Sequence, residues 1–462
     1  MRSRKGSYEM DMTSGPILPK VLLFSVPLML SSVLQLLFNA ADLVVVGRFA
    51  ADGSSAQAAV GSTGALINLI INLFLGLSIG TNVAVARYYG AGKVRETSDT
   101  IHTSIAVSLV GGVFLAIFGF FLSRTFLEWM GSPEEVLPLA TIYTQIYFIG
   151  MPVNVLYNFG SAVLRAIGDT RRPLIYLAIA GMVNVILNLF FVIVLHMGVA
   201  GVALATIISQ GISAALVFIC LLRSEGVIHV DVRKLRISMP HLWEIARIGL
   251  PAGLQGVFFS ISNVLIQSTV NSFGSVAMAG NSVSANIEGF IYVSMNAMHQ
   301  TALTFTSQNV GARMYARLRK IALTSVLIVT AIGLTLDTVA LVLREPLMRI
   351  YSEEPAVIEA GMMRLMVFAT TYFLCGVMDT LCGVLRGMGA AMLPTIVSLI
   401  GSCAFRIFWI YCILPFDRTL TMLYISYPVS WILTALIHII CCLHMLRRFP
   451  VSKGADAPAL PA

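Results

Sequence analysis

Side chains able to handle a small cation or a polar solute recur at helical spacing along otherwise apolar stretches of this 462-residue chain. Gln35 and Asn39 stand four apart, and Asp42 follows one turn later. Asn68 and Asn72, Asn154 and Asn158, and Asn184 and Asn188 repeat the four-residue step. Residues so spaced share one face of a helix, so each pair draws a polar stripe on an apolar cylinder. Further along, Asn263, Gln267 and Asn271 line one face, with Gln255 two turns earlier, and the ionisable Glu288, Asp379 and Arg406 follow. Hard cations take oxygen ligands, which carboxylates and amide carbonyls supply. A lone carboxylate can also exchange a proton. Residues of this kind can line a wet cavity and meet polar parts of a solute, and no catalytic residue is assigned.

The elements that must carry these residues follow from composition. Hydrophobic residues make up 57% of the chain and charged residues 11%, against about 25% charged in soluble domains. So few charges cannot cover a soluble surface, and so apolar a chain is not disordered. A membrane helix needs about 20 mostly apolar residues. Twelve such segments can be drawn, at 18–43, 57–85, 99–122, 137–159, 173–195, 199–222, 245–271, 279–307, 320–343, 357–384, 393–414 and 422–445. The short alternating segments of a membrane barrel are absent. The expected class is all-α, a polytopic membrane protein of 12 transmembrane helices. At about 1.5 Å per residue, Asn68, Asn184 and Glu288 fall near mid-membrane. Asp42 falls in the outer half of its span, and Asp379 and Asn158 near the inner ends of theirs.

Charge in a bilayer is costly and turns toward protein or a water-filled cavity. Structural readings stand beside the functional ones. Membrane amides often bond neighbouring helices, Asp42 has Arg48 one turn and a half away, Asp379 has Arg386, and Arg406 could be the buried counter-ion of Glu288. Asp337 reads as an outer-end residue, and His299 and His438 as packing residues.

The net charge of +8 sits in short loops, which speaks for membrane orientation rather than nucleic acid. One set of loops holds Arg87, Lys93 and Arg95, then Arg165, Arg171 and Arg172, then Arg313, Arg317, Arg319 and Lys320, and both ends of the chain join it. The other set holds Glu128, Glu134, Glu135, Glu345, Glu353 and Glu354. The positive-inside rule puts the basic set and both termini in the cytoplasm of a plasma-membrane (in bacteria, inner-membrane) protein. The implied division is a cytoplasmic tail 1–17, a six-helix lobe 18–222, an interfacial linker 223–244, a second lobe 245–446 and a disordered tail 447–462. The run after Arg2, Arg4 and Lys5 is too long for a signal peptide and reads as a retained first helix.

The lobes are related. Val163-Leu164-Arg165-Ala166-Ile167-Gly168 with Pro173 matches Val384-Leu385-Arg386-Gly387-Met388-Gly389 with Pro394, and Gly90-Ala91 matches Gly311-Ala312, all at an offset of 221. Pro27 and Asn39 match Pro251 and Asn263 at 224. With six spans each, the repeats enter the membrane from the same side, so the duplication is parallel, a plan common among transporters. Pro27, Pro152 and Pro251 lie inside spans, where proline removes a backbone bond and permits a bend.

Enzyme signals are weak. Gly76-Leu77-Ser78-Ile79-Gly80 fits G-x-S-x-G, which in hydrolases needs a strand–turn–helix setting. Here it lies in an apolar helix, where Gly76 and Gly80 read as a small-residue packing face. An intramembrane serine protease using His299 or His438 is the distant alternative. There is no P-loop or zinc-protease motif. The seven cysteines, Cys220, Cys375, Cys382, Cys403, Cys412, Cys441 and Cys442, have neither zinc-site nor disulfide-framework spacing.

Several stretches together resemble the multidrug and toxic compound extrusion (MATE) family, nearer its bacterial DinF-like and NorM-like members. They are Ala41-Asp42-Leu43-Val44-Val45-Val46-Gly47-Arg48, Ala86-Arg87-Tyr88-Tyr89-Gly90-Ala91-Gly92, Val163 to Thr170, Gln308-Asn309-Val310-Gly311-Ala312 and Val384 to Gly389. The resemblance covers about residues 15–448. It implies two six-helix lobes opening alternately to either side, and export of cationic or amphipathic compounds driven by H+ or Na+, with no cofactor; the duplication lets one chain work alone. Asp42 matches the family's span-1 acid, linked to ion coupling and a site where Na+ could bind. Pro27 matches its bending proline, and Asn184 and Asn188 its span-5 polar pair. Many members carry Asp at the position of Asn188 and an acid in span 7, where this chain has Phe259-Ser260. Glu288 and Asp379 then remain as the acids of the second lobe.

The working expectation is antiport. Asp42, supported by Asn39, Asn184 and Asn188, takes up the ion, span 1 repacks around Pro27, with Pro251 as its counterpart, and substrate leaves outward. Gln35, Asn68, Asn154, Asn158, Gln255, Asn263, Gln267, Glu288, Asp379 and Arg406 are the candidate substrate contacts. A lipid-linked sugar flippase of the same superfamily is the runner-up. Such flippases often carry several cavity arginines, whereas Arg406 reads as the one clearly intramembrane arginine here.

Overall fold

Backbone amides in hydrocarbon find no water, so a chain this apolar must satisfy them within its own helices. A computed structural model describes residues 8–49, 53–130 and 133–449, and among them there is no strand. In the first half the helices are α1 (Ile17–Phe49), α2 (Gly53–Gly90), α3 (Val94–Trp129), α4 (Leu137–Ile149), α5 (Met151–Ala166), α6 (Arg171–Leu189) and α7 (Gly198–Arg223). In the second half they are α8 (Met239–Asn271), α9 (Ser275–Gly311), α10 (Tyr315–Val342), α11 (Arg344–Arg349), α12 (Pro355–Ala369), α13 (Phe373–Gly387), α14 (Met392–Ser398), α15 (Phe405–Phe408) and α16 (Leu420–Arg448). The expected disordered tail lies outside the described residues from 450 on.

Among the described residues, nine helical stretches are long and apolar enough to cross a bilayer singly, and two bent pairs each make one more: α4 with α5 at 49° and α12 with α13 at 48°. The remaining crossing is α9, whose 37 residues exceed the roughly 20 needed. Its apolar content is diluted by Asn281, Ser284, Glu288, His299 and Gln308, all buried, because this helix faces protein rather than lipid. Twelve helical crossings result, in agreement with the segments drawn from the sequence.

The duplication is visible in the backbone. The two bends fall at corresponding places in the two halves, and the first has Pro152 at the second position of α5, where a missing N–H costs least. Gly168 and Gly389, 221 apart, both have positive φ, 97° and 100°. Gly92 (φ 69°) corresponds to Arg313 (φ 57°). The left-handed turn is thus kept where glycine is not, at a cost of about 1–2 kcal/mol for a side-chain-bearing residue.

The chain forms two compact units. One takes the segment up to Asp11 and Leu30–Val257, and the other takes Met12–Met29 and everything from Phe258 on. The boundary therefore falls inside α1, three residues after Pro27, and inside α8, six residues after Pro251, so each of these helices contributes one part to each unit. In the first unit α3 packs on α4 and α5, α2 on α5, and α6 on α7. In the second, α9 packs on α10, α12 and α13, and α13 on α16. The linker after α7 is seated on α3: Asp231 N–H donates to His102 Nε2 at 3.0 Å, and Ser238 N–H to Thr103 Oγ1 at 3.2 Å.

Residues 8–16, read from the sequence as tail, are folded. Tyr89 Oη donates to Glu9 Oε2 at 3.2 Å in the first unit. In the second, Met12 is fully buried and its carbonyl accepts from Asn309 Nδ2 at 3.1 Å.

Gly76 and Gly80 form the packing face their spacing suggested. Within the first unit they lie against the α8 backbone at Ile245, Gly249 and Gly253, and a Cβ at Gly76 would overlap the backbone nitrogen of Gly253. Ser78 Oγ donates to the Leu75 carbonyl at 2.7 Å, as an ordinary helix hydroxyl does. Gly76→Val is expected to cost about 1–3 kcal/mol by overpacking, read as a lowered unfolding midpoint in detergent. Gly211→Ala, where nothing lies within 4 Å, should leave that midpoint unchanged.

Candidate functional site

In the first unit the polar stripes of three helices meet at Asp42, which is buried on α1. On α6, Asn184 and Asn188 are buried one turn apart. Asn188 Nδ2 donates to Asp42 Oδ1 at 2.5 Å and to Asn184 Oδ1 at 3.2 Å. On α7, Thr206 Oγ1 lies 3.2 Å from Asp42 Oδ2 and 2.9 Å from the Val202 carbonyl. A hydroxyl has one proton, so it can serve only one of these acceptors at a time. Asp42 forms no ion pair among the described residues, and Asn188 Oδ1 is buried beside it with no hydrogen-bond partner.

A second polar group joins α5 to α7. Asn154 Nδ2 donates to Gln210 Oε1 at 3.2 Å, one turn from Thr206 on α7. Asn158 Nδ2 donates to Asn154 Oδ1 at 3.1 Å.

The second unit is built differently. Glu288 on α9 is buried and held in a fork by Arg364 of α12, with Nε to Oε1 at 2.8 Å and Nη2 to Oε2 at 2.6 Å. Ser284 Oγ donates to the same carboxylate at 2.8 Å. Arg364 also donates to Asn281 Oδ1 and lies over the Phe368 ring, 4.4 Å from its centroid. Asn281 Nδ2 donates to Gln267 Oε1, and Gln267 Nε2 to Asn271 Oδ1, both at 2.8 Å. Arg406 is a separate centre: Nε donates to Ser430 Oγ at 2.9 Å, and the guanidinium lies 4.1 Å from the Tyr427 centroid. Asp379, half-buried, lies near Tyr292 and Arg386. His299 Nδ1 donates to the Asp379 carbonyl at 2.7 Å, and His438 Nδ1 to the Met378 carbonyl at 3.2 Å. Both histidines thus tie helices together. Among the described residues no group of three His, Cys, Asp or Glu could hold a metal ion.

The MatE family model matches this chain twice, over residues 27–190 and 251–412, once in each half. The chain belongs to the MatE family. It is therefore a multi-pass membrane transporter, and the family is one of transporters rather than enzymes. The probable multidrug resistance protein YpnP of Bacillus subtilis (strain 168) is 31% identical over 87% of this chain and 88% of its own length. The probable multidrug resistance protein YoeA of the same organism is 27% identical over 82% of each. Among solved structures, the outward-facing conformation of a multidrug resistance MATE family transporter of the MOP superfamily has a TM-score of 0.87 at 20% identity, over 96% of this chain and 99% of that one.

Several expectations for this transporter need correction. The carboxylate of Glu288 is paired with Arg364, not with Arg406. Arg364 sits in α12, five residues before its end at Ala369, so Arg406 is not the sole intramembrane arginine. Asp42 bonds Asn188 and Thr206 rather than Arg48, which is exposed. Asn39 is exposed and stands outside the Asp42 cluster, although residues three apart are helical neighbours. Gln35, Asn68 and Asn263 are exposed, while Gln255 is buried on the part of α8 that belongs to the first unit. Pro27 and Pro251 are buried within α1 and α8. Thr206, Gln210, Asn281 and Arg364 are cluster members absent from the sequence expectation. Thr206 and Gln210 do carry the four-residue step. Arg364, a charge in an apolar run, carried the same signal as Arg406.

Proposed function

We propose that this transporter exports cationic and amphipathic drugs or toxic compounds by antiport against H+ or Na+, with alternating access. The observation that carries the coupling role is the surplus of acceptors at Asp42. A buried carboxylate without a counter-ion, next to a buried amide oxygen without a donor, is costly. A proton on Asp42 would remove the charge, and Na+ would use the carboxylate and the Asn188 oxygen together. Either ion, once bound, changes what α1 and α6 gain by packing closely, and Pro27 lets α1 bend in response. Glu288 is already neutralised by Arg364. Asp337 is also buried without an ion pair among the described residues, its Oδ1 unpartnered, and Asp42 is preferred because a second unpartnered oxygen, that of Asn188, lies beside it. In this reading the repeats 18–222 and 245–446, joined by the linker 223–244, form a monomer in the plasma membrane with both termini cytoplasmic.

The test uses proteoliposomes loaded with a fluorescent organic cation, to which a proton or a sodium gradient is applied in turn. Efflux accelerated by one of the gradients is expected. Efflux indifferent to both would remove antiport, and gradient-driven movement of a lipid-linked sugar in place of the dye would favour the flippase.

A further inference from the structure

Where α10 begins, Arg317 and Lys320 line an open cavity of about 400 Å³ in the second unit. Its opposite wall is Gly15, Pro16 and Ile17 at the start of α1, and Leu323 and Thr324 extend it along α10. No acidic residue lines it. The wall is fixed by Arg317, whose Nη1 donates to the Gly15 carbonyl at 3.0 Å, Nη2 to the Ser14 carbonyl at 3.4 Å and Nε to Asn309 Oδ1 at 3.2 Å. All three partners are neutral, so the guanidinium charge stays uncompensated. Lys320 is exposed, and neither cation forms an ion pair among the described residues. The starts of α1 and α10 add the positive ends of two helix dipoles.

Apolar faces flank the cavity, and Leu323 belongs to its lining. Leu22, Leu23 and Val26 on α1 and Leu323 and Leu327 on α10 are exposed large hydrophobic residues, the last two at 60% each. In a membrane protein such faces meet acyl chains. A cationic cavity flanked by exposed leucines matches an amphiphile with an anionic head. Basic pockets between membrane helices on the cytoplasmic side hold anionic lipid headgroups, and these loops belong to the basic, inward set.

We infer that this groove binds the phosphate of an anionic phospholipid of the inner leaflet, its acyl chains lying along Leu323 and Leu327. The inference is independent of the coupling role given to Asp42. The full-length transporter, purified in detergent, is titrated with phosphatidylglycerol, phosphatidylcholine or glycerol phosphate, and bound lipid is counted by native mass spectrometry. A preference of about fivefold for phosphatidylglycerol over phosphatidylcholine is expected, the scale set by one basic residue near an anionic lipid surface. Lys320→Gln should lower it markedly, the remainder resting on Arg317, while Lys320→Arg and Arg319→Gln should keep it, since Arg319 is exposed on the same turn but does not line the groove. Three results would each overturn the inference: an unchanged preference in Lys320→Gln, an equal loss in Arg319→Gln (diffuse surface charge), or displacement of the lipid by glycerol phosphate (a free-anion site).

Discussion

Asp42→Asn is expected to leave a folded protein that no longer couples export to an ion gradient. The amide is nearly isosteric with the carboxylate, so the packing of α1 against α6 and α7 should survive. What disappears is the negative charge, and with it any reason for a proton or Na+ to bind at the unpartnered Asn188 oxygen. Gradient-driven dye efflux should fall by roughly tenfold or more, within the 5- to 150-fold that a coupling free energy of about 1–3 kcal/mol spans. Passive dye binding, measured by fluorescence polarisation on the purified variant, should change much less. Asn39→Ala is the matched control: Asn39 is exposed and outside the cluster, and its loss should leave efflux near the parent rate. Wild-type efflux in Asp42→Asn would transfer the coupling role to Asp379, the half-buried acid of the second unit.

The largest stability effect is expected at Arg364. Arg364→Met leaves Glu288 buried and without its forked partner, and breaking a buried ion pair from one side costs about 3–5 kcal/mol. The unfolding midpoint in detergent should drop sharply, with Ser284 alone left to stabilise the carboxylate. The double variant Glu288→Leu, Arg364→Met should recover most of the loss, because two apolar groups of similar bulk need no compensation. The recovery is a double-mutant coupling and separates the pair from any general damage to α12. Single and double variants of equal stability would mean that the pair contributes little to the fold. Arg406→Met has no buried carboxylate to strand and should cost less than Arg364→Met.

These two sites also show where local pattern sufficed. Asn184 and Asn188 face the same way because helical geometry puts residues four apart on one face, and the structure finds them joined at 3.2 Å. Gly76 and Gly80 were readable as a packing face for the same reason. Even the burial of Glu288 followed from one acid standing alone in an apolar run.

Partnership between helices was a different matter. Asp42 had Arg48 six residues away, yet its donors come from 146 and 164 residues further along the chain. Glu288 had a plausible cation in Arg406, yet Arg364 holds it, because α12 packs directly on α9 and brings the guanidinium within reach. The number, length and kinship of the crossings were legible in the chain alone, since hydropathy, charge bias and a 221-residue repeat are linear properties. Which polar stripe meets which, and so which acid is neutralised and which is left to bind an ion, was decided only by tertiary packing. Helix rotation and the choice of neighbour depend on shape fit summed over whole faces, and no single spacing encodes that sum.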